Sequence, residues 1–186
     1  MELEEYRRVR EAVCSSGFAH DIEWSEGVSP PQTADAFAQE YVFVVCNSGM
    51  RAQVAQGIYR KVMTALIAGS HPRSVFGHKG KCDGIWAVWS AREVWFINFL
   101  AATDPVQFLG EMPWIGTITK WHLAKNFGVD VAKPDRHLVR VAQRYGTTPQ
   151  ALCEALALAS GDRIGTVDTV IWRACNLGIL DAKPVT

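Results

Sequence analysis

MPWIGTITKWHLAKNFGVDVAKPDRHLVRVA, residues 112–142, holds two stretches of helical spacing parted by Gly128 and Pro134, with a tight Pro-Trp-Ile-Gly turn before the first. An apolar stretch ends at Met112–Pro113, the chain turns within about four residues, and a new helix starts near Thr117. Gly116 permits the close approach or positive φ that such a turn needs. A turn feeding a helix N-terminus offers unpaired backbone N–H groups and a positive dipole end, which suits a phosphate. Packed helix pairs are joined by similar turns, so the turn alone does not name a function.

The same stretch carries five Lys and Arg against two acids, Asp130 and Asp135. Asp135 follows Pro134, which disfavours helix before it, and Asp is a preferred N-cap, so it is placed to cap a helix over 136–145. A cap and a catalytic role are compatible, because a helix N-terminus stabilises an anion and aims it out of the fold. A carboxylate beside a sugar C1′ can stabilise an oxocarbenium-like transition state or orient an attacking water. The surrounding cations would then hold the phosphates that flank the sugar.

The remaining chain narrows the class. At 186 residues it is long enough for a sizeable core and is expected to form one domain. No apolar run approaches the roughly 18 residues of a membrane span. The charged start, MELEEYRRVREAV, lacks the basic-then-apolar order of a secretory signal, so a cytoplasmic location is expected. Cys14, Cys46, Cys82, Cys153 and Cys175 are scattered, with no CxxC pair. They read as free thiols, with neither a zinc site, a disulfide frame nor an iron–sulfur loop. The zero net charge hides blocks: −6 over residues 1–40, +6 over 41–92, −3 over 93–112, +4 over 113–145 and −1 beyond. The two basic blocks either converge on a polyanion or are solvated surface.

Apolar spacing near i, i+3, i+4 runs through residues 2–14, 33–46, 50–68, 82–102, 117–127, 136–145, 149–159 and 166–176. Glycines and prolines fall between these segments, and Thr148–Pro149 reads as an N-cap followed by Pro at the first helical position. The strand-like run Tyr41–Val45 continues a helical pattern and is assigned to buried helix. The fold class is all-α. Of the seven tryptophans, Trp24, Trp86, Trp89, Trp95 and Trp172 are expected to fill the core. Trp24 is also the first candidate for stacking on an extruded base, and Trp121 either lines a pocket or packs.

Order and spacing together carry a resemblance. Met112-Pro113-Trp114-Ile115-Gly116-Thr117-Ile118-Thr119, then Phe127-Gly128, then Pro134-Asp135-Arg136-His137-Leu138-Val139-Arg140 is similar to the helix-hairpin-helix (HhH-GPD, endonuclease-III-like) DNA glycosylase superfamily. The family pattern is roughly L-P-G-[VI]-G-x-[KQ]-T-A, a helix, F-G, and V-D-x-H-[IV]-x-R. Upstream, Val44 to Arg51 resembles the family's wedge, and Gly80-Lys81-Cys82-Asp83-Gly84-Ile85 the N/S-K-A-x-x-I segment.

The resemblance implies a bundle whose DNA cleft lies between two helical lobes, with a hairpin at about 108–127, a wedge loop at 46–51 and an Asp-bearing loop at 129–137. It marks Asp135 as the catalytic acid. It places Trp114, Ile115, Gly116, Thr117, Thr119, Lys120, His137 and Arg140 against DNA, although His137 also reads as a core histidine. Asn47, Ser48, Met50 and Arg51 would fill the gap beside the orphaned base. Trp24, Trp121 and Ile118 are the base-pocket candidates. Arg51, Lys81, Lys120, Lys125, Arg136 and Arg140 are the expected phosphate contacts.

Two departures shape the expectation. Trp114 stands at the first hairpin glycine and either alters the turn or adds a stacking surface. Ile118 stands where bifunctional members carry the Schiff-base lysine, and isoleucine cannot form an imine. The implied protein is a monomeric, monofunctional glycosylase on double-stranded DNA, leaving an abasic site. No cofactor is expected beyond a monovalent cation on the hairpin carbonyls. Its target is a damaged base or a modified one such as phage hypermodified cytosine. The alternatives are a non-catalytic hairpin module and a glycosylase/lyase that uses another lysine.

Overall fold

Phe37, Tyr41, Val44 and Val45 share one strip of a helix, and that strip is wholly buried. The computed structural model describes residues 1–181 and Lys183, and every regular element among them is helical. In chain order these are α1 (Leu3–Val13), α2 (Ala19–Gly27), α3 (Ala34–Asn47), α4 (Ala52–Ile67), α5 (Lys79–Ser90), α6 (Arg92–Ala101), α7 (Pro105–Gly110), α8 (Thr119–Asn126), α9 (Arg136–Arg144), α10 (Pro149–Ser160) and α11 (Ile164–Leu177). The chain folds as two compact units. One is Pro30–Phe127; the other joins Met1–Ser29 to the chain from Gly128 onward.

In the Pro30–Phe127 unit, α3 packs against α4, α5, α6 and α8. Helices on several sides bury it almost all round, which is why Tyr41–Val45 reads locally like a strand. Thr33 caps its start, Oγ1 accepting from the Ala36 N–H at 3.1 Å. Phe37 stacks on Phe127 at 4.9 Å between centroids and meets Phe99 at 5.5 Å. Truncating such a ring to alanine costs about 3–5 kcal/mol.

The expected helix over 82–102 is two helices. The chain bends at Ala91 (φ −112, ψ 24), with no glycine or proline to mark the break. The bend lets Ile85 and Val88 of α5 and Phe99 of α6 all reach the interior.

The other unit is organised on α11, against which α1, α2, α9 and α10 pack. Residues 165–171 of α11 are buried all round. Its core joins Tyr6, Val9 and Val13 of α1 to Leu138 and Val141 of α9, Leu152 and Leu156 of α10, and Val167, Val170 and Ile171 of α11. The Tyr6 hydroxyl donates to Asp162 at 2.6 Å. Thr148 caps α10 as read from sequence, its Oγ1 accepting from the Ala151 N–H at 3.2 Å ahead of Pro149. A wide π-type turn, Cys14–Phe18, joins α1 to α2, with Gly17 at φ +90. There Arg173 of α11 lies 4.1 Å from the Phe18 ring and 4.7 Å from Trp172, and pairs with Asp21 at 2.5 Å.

The tryptophan expectation is corrected. None of the five is fully buried, and Trp24, which lies on α2, is half exposed. The interior is filled by Phe, Tyr and aliphatic side chains instead. The tryptophans lie at the rim, where Trp86 meets His71 and Trp89 lies under Arg92. Cys46, Cys82 and Cys153 are buried free thiols, while Cys14 and Cys175 are half-buried. Among the described residues no helix is long and apolar enough to cross a membrane.

Candidate functional site

Asp135 is the N-cap of α9. One carboxylate oxygen, Oδ1, accepts from the His137 N–H at 2.9 Å and the Leu138 N–H at 3.0 Å. The cap engages Oδ1 alone, and the side chain is half-buried. Its charge is felt locally: burial, and then the Asp135 carboxylate, push the Cys175 thiol up to about 11. Cys175 therefore stays protonated at neutral pH and offers no competing thiolate.

The loop before Asp135 makes two tight backbone bonds of its own, from the Val131 N–H to the Val129 carbonyl at 3.0 Å and from the Asp135 N–H to the Lys133 carbonyl at 2.7 Å, and side-chain bonds to other segments hold it as well. Asp130 Oδ1 accepts from the Gly165 N–H at 2.9 Å, at the start of α11. Arg163 donates to the Gly128 carbonyl at 2.7 Å and to the Ser25 and Val28 carbonyls at 3.1 and 3.0 Å. Gln150 of α10 accepts from the Ala132 N–H at 3.0 Å, and the buried Asp168 of α11 accepts from the Lys133 N–H at 3.0 Å. Four side chains thus fix the backbone that delivers one carboxylate. Sequence reading missed Arg163, Gln150 and Asp168, which lie far along the chain in ordinary helical patterns. Asp130 was noticed only as a charge.

The turn lies in the Pro30–Phe127 unit. Met112 and Ile115 are buried and anchor it, and the Ile115 N–H donates to the Met112 carbonyl at 3.1 Å. Tyr41 Oη donates to the Pro113 carbonyl at 2.8 Å. The first bond of α8 runs from the Lys120 N–H to the Gly116 carbonyl at 3.0 Å, so the amides of Gly116, Thr117, Ile118 and Thr119 precede the helical ladder. Gly116, Thr117 and Ile118 are exposed. Trp114 has a left-handed backbone at φ +63, a conformation that favours glycine.

Ile118 is 42 % exposed at the head of α8 and presents no amine. Lys120 lays its stem over Gly110 and its Nζ 5.6 Å from the Trp121 ring centre. Trp121 is half-buried.

The loop after α3 turns through a Met50 N–H to Asn47 carbonyl bond of 3.1 Å, with Gly49 at φ +74. Arg51 is exposed at the N-cap of α4, and Asn47, Ser48 and Met50 are half-buried. Lys81 governs this loop. It is 5 % exposed, and its Nζ donates to the Val45 carbonyl at 2.8 Å and the Ser48 carbonyl at 2.6 Å. The expectation that Lys81 touches a phosphate is overturned, since its ammonium is spent on the carbonyls that end α3. Burial lowers its pKa. His137 and Arg140 are half-buried on α9, and His137 Nδ1 is buried without a hydrogen-bond partner among the described residues. Arg136 is exposed and directs Nε to His137 Nε2 at 3.4 Å.

No protein-family model matches this sequence, and no curated protein matches it. A solved structure does. The crystal structure of the 8-oxoguanine DNA glycosylase of Thermotoga maritima is similar to this chain at a TM-score of 0.64 and 18% identity, over 99% of this chain and 98% of that one. The all-helical architecture expected from the helix-hairpin-helix resemblance is thus the fold of this chain.

Proposed function

We propose that this protein is a monofunctional DNA N-glycosylase. The observation that carries the proposal is Asp135, a carboxylate at a helix N-terminus on a loop fixed by Asp130, Gln150, Arg163 and Asp168. A fold needs a cap at that position, but it does not need three side chains from other segments, with Asp130 of the loop itself tied to the start of α11, to aim the cap's backbone. In the proposed reaction the extruded nucleotide loses its base, positive charge develops at C1′, and Asp135 stabilises it while orienting water. The amides of Gly116 to Thr119, with Thr117, Thr119 and Lys120, grip the backbone phosphates, and a monovalent cation on the turn carbonyls would brace that grip. Asn47, Ser48, Met50 and Arg51 occupy the gap left in the duplex.

Ile118 favours hydrolysis over imine chemistry. The structural neighbour acts on 8-oxoguanine, which makes an oxidised purine the first substrate to test; a modified cytosine is the second. The test is to incubate the protein with DNAs carrying oxidised, alkylated, deaminated or hypermodified bases and to identify the freed base by mass. Base release without a borohydride-trappable protein–DNA adduct is the expected result. An adduct that vanishes on changing Lys120 or Lys125 would replace the hydrolytic mechanism with a lyase one. DNA binding without release from any substrate would favour a non-catalytic hairpin module.

A further inference from the structure

Trp114 is the only described residue other than glycine with a positive φ. For a residue with a bulky side chain this costs about 1–2 kcal/mol, and a glycine would remove the cost. The indole must therefore repay it. Its neighbours on both sides are fixed: the Pro113 carbonyl by Tyr41 at 2.8 Å, and Ile115 by burial.

The ring itself rests on α5. A Cβ added to Gly80 would fall 2.3 Å from Trp114 Cζ2, and one added to Gly84 2.7 Å from Cδ1. These two glycines, one turn apart, form a seat that no other residue would leave open. The His78 imidazole meets the indole edge-on at 4.8 Å. Packing alone would bury such a ring, yet Trp114 remains 48 % exposed. The result is a rigid aromatic plate, seated on one side and open on the other, just ahead of the amides at the head of α8. An amide grip beside a fixed aromatic plate is how proteins hold a nucleotide whose base has left its stack.

We propose that Trp114 is a stacking site for an unstacked nucleobase on the DNA strand held by the hairpin, so that this hairpin prefers locally unpaired DNA to regular duplex. The inference rests on the reading of the chain as a DNA-binding protein, and its test uses affinity and not excision, so each can fail alone. The full chain is titrated into labelled duplexes, one fully paired and one with a short single-stranded gap, with folding checked by thermal melting.

The parent is expected to bind gapped DNA more tightly. Trp114→Gly, which suits the left-handed turn and so keeps it, should lose roughly five- to a hundredfold on gapped DNA and little on paired DNA. Gly80→Ala, which displaces the indole without removing it, should lose affinity in the same selective way, and Trp114→Phe should retain most of it. Equal affinity of the parent for both DNAs, or of Trp114→Gly and the parent for gapped DNA, would overturn the proposal and leave the glycosylase reading standing. A parent that binds neither DNA would overturn both.

Discussion

Replacing Lys81 with methionine separates a buried clamp from a phosphate contact. Methionine matches the length of the lysine stem but removes the donors that serve the Val45 and Ser48 carbonyls at 2.8 and 2.6 Å. Hydrogen bonds to a charged group contribute about 1.5–3 kcal/mol each, so the two together amount to about 3–6 kcal/mol. Relief from burying an ammonium, and the apolar gain of methionine, offset about 1–2 kcal/mol of that. A net loss of about 2–4 kcal/mol follows. At this chain length it corresponds to a fall in Tm of roughly 5–15 °C, read by circular dichroism or calorimetry. The salt dependence of DNA affinity provides the second readout. A buried clamp releases no counterions, so the log–log slope should match the parent's. An unchanged Tm together with a slope flattened by about 0.9 would refute the reasoning and return Lys81 to the DNA surface.

Glu40→Gln should remove a pH dependence. Burial raises the Glu40 pKa above 4.5, opposed by the bond from Asn126 Nδ2. Above that value the folded chain holds a proton that the unfolded chain has lost, so stability falls as pH rises through the window. The Gln variant should match the parent below pH 4.5 and exceed it at neutral pH in urea titrations; a constant difference would contradict this. Asp130→Ala should slow excision more than it weakens DNA binding, because it frees the loop that carries Asp135; equal losses in both would count against positioning. The affinity of the parent for duplex DNA should fall with salt with a slope of about −4 to −5, from roughly four to six phosphates, and Arg51→Ala should flatten it by about 0.9.

The elements most legible in the sequence were those with a one-sided apolar strip and a cap. Asp135 and Thr148 announced α9 and α10, and each forms its cap. Helix α2 was missed because it buries only Ile22 and Ser25, so no strip repeats. Helix α7 is six residues long, too short for periodicity, although Asp104–Pro105 was a readable start. The break at Ala91 lacked a glycine or proline and is set by packing on both sides of it. Within the candidate site, Asp135 and the turn were legible because each is local. The Asp130–Gly165 and Asp168–Lys133 bonds each join residues 35 positions apart, and no local pattern reports them. Lys81 misled for the same reason, since nothing nearby in sequence shows that its ammonium meets the end of α3.

Asp135→Asn tests the central claim most directly. Asparagine caps a helix about as well as aspartate, so the bonds to His137 and Leu138 can persist while the charge is removed. Base release is followed by mass on a DNA that the parent processes, at concentrations that saturate both proteins. The account predicts that the variant binds this DNA at least as tightly as the parent, and that its rate of release falls by at least about a hundredfold. Release by the variant at the parent's rate would contradict it.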